Sequence, residues 1–135
     1  MTSTITLAGA EKAIETGRAK AAELGIAFTI AIVDSGAHLV ALARQDGAAL
    51  ASVESCQAKA RTSALFGAPT KDLAGTVQPG AAMFGIESGF RDSVAFVGGG
   101  VPVTDSEGRL IGAIGVGGGY PDQDNEIAEA VRHAL

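Results

Sequence analysis

Apolar positions along this chain switch twice between a helical and a strand period. Leu7, Ala10, Ile14, Ala21 and Leu24 recur at helical spacing and predict a helix over residues 5–24. Thr6 is a plausible N-cap and Gly25 a natural stop. From Ala27 the composition turns β-rich, with Phe28, Thr29, Ile30, Ile32 and Val33 running into an Asp34-Ser35-Gly36 turn. A returning strand from His38 to Arg44 completes a hairpin over residues 27–44.

A second long helix follows from Ala48 to Phe66, closed by Gly67 and Pro69. Thr70 reads as the cap of a short segment, and residues 79–87 as another short helix. Three strand pieces come next, at 94–97, 101–104 and 110–116, the last two joined by the turn Asp105 to Gly108. A final helix covers residues 121–135. The order α-ββ-α-(short α)-βββ-α, with short turns between strands, predicts antiparallel pairing in an α+β layer fold.

On the second long helix, steps of about 100° divide the residues into arcs. Ala49, Leu50, Val53, Cys56, Ala60 and Ala64 form an apolar arc expected to pack on the sheet. Ser52, Ser55, Lys59, Thr62 and Ser63 form a stripe of hydroxyls around one cation. That stripe suits either a solvated face, a polar seam between subunits, or an oxygen-rich ligand.

Two near-identical elements stand out against this background. Val97-Gly-Gly-Gly-Val-Pro102 is repeated nineteen residues later as Val116-Gly-Gly-Gly-Tyr-Pro121. Glycine triplets let a second group approach the backbone closely. A proline and the acidic residues Asp122, Asp124 and Glu126 suit the start of the helix that follows. The pair reads as two backbone-lined turns beside one site, with Gly99 and Gly118 at their centres. No dinucleotide or Walker pattern is completed, and the acidic helix start would repel a phosphate.

Composition narrows the partners. In 135 residues, 47% are hydrophobic but only 4% aromatic, and mean hydropathy is +0.27. The length predicts one domain. The apolar surplus predicts subunit interfaces, because monomers rarely expose large apolar patches. A net charge of −5, with scattered cations, argues against nucleic acid. The single Cys56 excludes an internal disulfide, and its place on the apolar arc favours burial over nucleophilic catalysis. No signal peptide or membrane span is evident, so a cytoplasmic setting without membrane partners is expected. His38, just after a turn, is the histidine placed to act as a base or metal ligand. Asp34 and Asp105 are explained first by turn chemistry.

Several segments together resemble the GlcG/HbpS family, which includes the C-terminal domain of PduO-type proteins. They are Ile5-Thr-Leu-Ala8, Ile32-Val-Asp-Ser-Gly-Ala-His-Leu-Val40, Arg44-Gln-Asp-Gly-Ala48, Lys59-Ala-Arg-Thr-Ser63, Phe66 with Pro69-Thr70, Gly98-Gly-Gly-Val-Pro102 and Ile111-Gly-Ala-Ile-Gly-Val-Gly-Gly-Gly119. The resemblance implies a profilin-like α+β fold with a five-stranded antiparallel sheet flanked by helices. It also implies homo-oligomers, from dimers to octamers, and haem as cofactor, with links to haem degradation or redox sensing. Carried onto this chain, it makes Thr62 or His38 the candidate iron ligand. Lys59 becomes a cation for a propionate, and Gly99 and Gly118 become backbone contacts. One departure is visible: Gly117 stands where the family's Gly-Val-Ser-Gly-Gly motif carries serine.

Three functions remain open at this level. The first is a haem-binding protein. The second is a lyase or isomerase acting on a small hydroxy acid or enol, with Asp34, His38, Lys59 and Thr62 gathered around one pocket. The third is an accessory protein of glycolate or diol catabolism without a small ligand.

Overall fold

The computed structural model describes residues 4–135. Its elements are α1 (Leu7–Leu24), β1 (Thr29–Asp34), β2 (Leu39–Arg44), α2 (Ala51–Phe66), α3 (Thr70–Leu73), β3 (Gly100–Thr104), β4 (Leu110–Gly117) and α4 (Pro121–His133). The strands form one antiparallel sheet in the order β2-β1-β4-β3. Helix α2 covers one face, and α1 and α4 pack together on the other.

Strand alternation explains both layers. Ile30 and Ile32 of β1, with Ile114 and Val116 of β4, face α1 and α4 and meet Ala10, Ile14, Ile127 and Val131 there. Ala31, Val33 and Ala113 face α2, against Cys56, Ala60 and Ala64. The α2 side is built from small residues, so the helix lies very close to the sheet. Gly115 is the extreme case, since a Cβ there would collide with the Cys56 carbonyl and the Ala60 amide of α2. Burial among apolar neighbours pushes the Cys56 thiol up to about 11, as an inert core group requires.

Helix α1 follows its expected punctuation. The Thr6 hydroxyl accepts from the Gly9 amide at 3.0 Å, and Gly25 ends the helix at φ 72°. The two hairpin turns use one device. Asp34 Oδ1 accepts the amides of Gly36 and His38, and Asp105 Oδ1 accepts those of Glu107 and Arg109, each at 2.9 Å. These backbone bonds hold both carboxyls below the usual carboxylate range.

Three expectations change. The sheet has four strands, not five. Residues 94–97 have no regular secondary structure and join no ladder, because backbone groups among them are taken by side chains. The Ala95 amide donates to Thr62 Oγ1 at 2.8 Å, and the Val97 carbonyl accepts from Thr70 Oγ1 at 2.5 Å. Residues 79–87 form turns leading into a short 3₁₀ turn at Ile86–Gly89. This irregular segment is pinned to the end of α2 by Phe90 and Phe96, whose rings lie 5.9 and 5.5 Å from that of Phe66. Thr70 does not cap α3; it is the first helical residue and ties the first glycine turn to α2's end of the fold.

The arcs of α2 also differ from expectation. Cys56, Ala60 and Ala64 are buried as predicted, but Leu50 is 78% exposed. Ser52, Lys59, Thr62 and Ser63 of the polar stripe are all buried. The helix is covered on a second side by the irregular segment and the start of α4, so its polar stripe is interior.

Gly115→Ala is expected to cost about 1–3 kcal/mol or more, through overpacking against the α2 backbone. Thermal denaturation should show a clearly lower Tm; an unchanged Tm would mean that α2 can move off the sheet freely.

Candidate functional site

Chemistry-bearing residues gather in two places. The first is where the glycine turns meet. Lys59 of α2 reaches between them and donates to the Val116 carbonyl at 3.0 Å and to Asp124 Oδ2 at 2.9 Å. The other oxygen of Asp124 accepts the Gly119 amide at 2.8 Å. Both side chains are almost wholly buried, at 5% and 2% exposure. Burial pushes the Asp124 carboxyl above its ordinary value, against the opposing pull of Lys59.

The first glycine turn is shaped to this ammonium. Gly99 has φ 129°, and a Cβ there would sit 2.8 Å from Lys59 Nζ. A Cβ on Gly98 would press on the Pro121 carbonyl at 2.9 Å. The repeated motifs therefore do flank one point, and the chain's own ion pair fills it. A cavity of about 270 Å³ remains beside it, lined by Ser52, Ser55, Lys59, Gly118, Pro121 and Asp124, among others. Gly118 also lines a neighbouring cavity of about 280 Å³ with Tyr120 and Ile26.

The second place is the β1–β2 hairpin. His38 sits on it with an 80% exposed imidazole, its Nδ1 3.3 Å from Asp34 Oδ1. Asp34 is itself fixed by two backbone amides, so it can hold the ring's orientation. Ala37, in the left-handed region at φ 66°, and Leu39 flank His38 in the chain. Both line a cavity of about 350 Å³, together with Val33, the α2 residues Glu54, Gln57, Ala58 and Arg61, and Asp92 and Ser93 of the irregular segment.

The sequence candidates thus do not converge on one pocket. Asp34 and His38 are neighbours on the hairpin, Lys59 lies with Gly99 and Gly118 at the glycine turns, and Thr62 is buried under the irregular segment. The Thr62 hydroxyl donates to the Ala58 carbonyl at 2.7 Å and accepts the Ala95 amide. Two residues escaped the sequence reading. Asp124 was explained there by its helix start alone, and nothing local revealed its partner sixty-five residues away. Arg61 entered the sequence reading only inside the Lys59-Ala-Arg-Thr-Ser63 segment, although its place on the same helix as Lys59 was a usable signal.

An α+β domain with a four-stranded antiparallel sheet between one helix and a helix pair is the class that this geometry defines. The chain belongs to the HbpS-like family, described as haem degrading protein HbpS-like, whose family model matches residues 5–133. A 15.0 kDa protein of Citrobacter freundii, encoded between dhaT and dhaS, is 36% identical over 93% of this chain and 88% of its own length. Protein ORFY of Klebsiella pneumoniae superposes with a TM-score of 0.94 at 30% identity, over 99% of this chain and 92% of that one. PduOC, solved as a haem complex, superposes with a TM-score of 0.91 at 30% identity, over 98% of this chain and 96% of that one. Among the described residues, no helix is long and apolar enough to cross a membrane.

Asp124→Ala is expected to cost about 3–5 kcal/mol, because it strands a buried ammonium. The paired replacement Lys59→Met with Asp124→Leu should recover much of that loss. Urea denaturation of the two variants checks this; equal losses would deny that the charges are coupled.

Proposed function

We propose that this chain is a haem-binding protein and that His38 is its iron ligand. The observation that carries the proposal is the exposed, carboxylate-oriented imidazole of the hairpin, on a fold that in PduOC was solved with haem. A metal-binding histidine usually turns its second ring nitrogen to a carboxylate or carbonyl, and Asp34 supplies that partner. Ala37 and Leu39 line the hairpin cavity and His38 between them does not; its imidazole lies over Gly36, beside Asp34 and open to solvent. An exposed imidazole with one ring nitrogen turned to a carboxylate suits an axial ligand of haem iron.

Other assignments follow from what is already spent. Thr62 serves structure in this reading, since both its hydrogen-bonding roles are taken inside the protein. Lys59 is held by Asp124 and Val116 and is not free for a propionate. Gly99 and Gly118 shape the turns around that pair rather than the haem site. Bound haem would supply redox-active iron; this chain's share is to orient the imidazole through Asp34. Leu39, next to His38 in the chain, leaves apolar surface open at 53% exposure. Assembly into homo-oligomers, through such apolar surface and the free β2 edge, belongs to the same proposal. A hydroxy-acid lyase or isomerase is not favoured, because its four candidate side chains are dispersed.

Hemin titrated into the apo-protein should give a saturating Soret shift at one per subunit. His38→Ala should lose it. Thr62→Ala should keep the stoichiometry while losing about 1–3 kcal/mol of stability, from the unpaired Ala95 amide. Loss of binding in Thr62→Ala with retention in His38→Ala would reverse the assignment.

A further inference from the structure

We propose that β2 pairs edge to edge and antiparallel with β2 of a second copy of this chain, about a two-fold axis at Ala43. The inference rests on the assembly proposed above and gives it a symmetry and a register; it needs no haem.

The two edges of the sheet differ. Hydrogen bonds alternate along an antiparallel strand, so at an edge every second residue turns its backbone outward. At the β3 edge the Val116 amide donates to the Gly99 carbonyl at 2.9 Å, which leaves Gly100 and Pro102 facing out. Thr70 Oγ1 accepts the Gly100 amide at 2.9 Å, and Pro102 has no N–H to offer, so that edge is closed. At the β2 edge the Gln45 amide donates to the Phe28 carbonyl at 2.9 Å, so Ala41, Ala43 and Gln45 face β1, and Leu42 and Arg44 face out. Neither is a proline or a lysine, and the bulge of this strand lies before Ala41, so nothing blunts the stretch from Ala41 to Arg44.

Apolar surface flanks this open edge on both faces. Leu42 and Arg44 lie opposite Ala31 and Thr29, on the α2 side of the sheet. Helix α2 packs on β1, β3 and β4 and leaves β2 largely bare, so Leu39 and Leu42 are exposed. On the other face, Ala41 and Ala43 join Leu7 and Ile14 of α1 in lining an open groove of about 390 Å³.

The occupant follows from the pattern. A row of backbone donors and acceptors is matched as a row only by another strand. The outward pair Leu42 and Arg44 complements itself. Turned about an axis at Ala43, Leu42 of each copy exchanges both its bonds with Arg44 of the other. An axis at Leu42 would instead need Val40, which the bulge turns out of line. With the axis at Ala43, the hydrocarbon stem of Arg44 covers Leu42 of the second copy. The two Arg44 residues fall on the diagonal, about 7–8 Å apart, where water screens their exposed charges. Because the β3 edge is closed, this pairing joins two copies and does not propagate along the sheet.

The test reads mass and register separately on the full chain. Sedimentation gives the mass of the wild type and of Leu42→Lys over a dilution series, with thermal melts as the folding control. Ala41→Cys, Leu42→Cys, Ala43→Cys and Arg44→Cys are oxidised with glutathione disulfide and compared on non-reducing gels. The wild type is the blank, because Cys56 is wholly buried. Ala43→Cys alone is expected to give a covalent dimer. On the axis, in a non-hydrogen-bonded pair, it meets its own copy at about 4.5 Å between Cα atoms, within disulfide reach. Leu42→Lys sets an ammonium opposite Arg44 on both sides of the axis and should weaken the pairing about tenfold or more. A crosslink at Leu42→Cys in place of Ala43→Cys, or at no position in an associated wild type, overturns the inference while assembly through other surfaces stands. So does a folded Leu42→Lys with the wild-type mass throughout the dilution series. A monomeric wild type overturns the inference and the assembly together, and haem binding is then judged by the Soret titration alone.

Discussion

A buried ammonium holds the two ends of this fold together. Lys59 reaches from α2 to the last turn of β4 and the first turn of α4, and the first glycine turn wraps around it. Removing two charges from water costs several kcal/mol per ion, which their attraction recovers only with good geometry and further hydrogen bonds. Those bonds are present: Val116 and Gly119 complete the pair through their backbones. The pair ties α2 to the glycine-rich end of the sheet and to the start of α4.

The glycine turns make sense only with that ion pair in view. Read alone, a triplet of glycines before a helix resembles an anion cradle. In this chain the anion is Asp124, delivered from the helix itself, and its counterion comes from across the sheet. The same economy of space recurs at Gly115, where the missing Cβ lets α2 approach the strands. Small residues on one face of the sheet and branched ones on the other then decide which helix lies close.

Much of this was legible in the sequence. Periodicity located α1, β1, β2, α2, β4 and α4 to within a few residues, because each carries a long apolar repeat with a turn or cap at its ends. Residues 94–97 misled for a physical reason: Val94, Phe96 and Val97 have strand propensity, but Thr62 and Thr70 take the backbone groups that a ladder would need. The burial of the α2 polar stripe was invisible for a similar reason. Helical geometry separates the arcs but does not say that an irregular segment will cover the second one. Asp34 and His38 were legible as a pair, being four residues apart across one turn, whereas Lys59 and Asp124 needed the fold to meet.

Most polar groups at the glycine end are spent inside the fold: Lys59, Asp124, Ser52 and Thr70 all have partners there, while Asn125 Oδ1 on α4 is buried without one. At the hairpin end, the imidazole of His38 is exposed and the Nε of Arg61 has no partner. A protein that binds a ligand needs groups whose hydrogen-bonding capacity folding has not consumed. The exposed imidazole of His38 is such a group, held on the hairpin next to Ala37 in the left-handed region. The rigid end sets the sheet and α2 in place, and the hairpin end is then free to hold a partner against them.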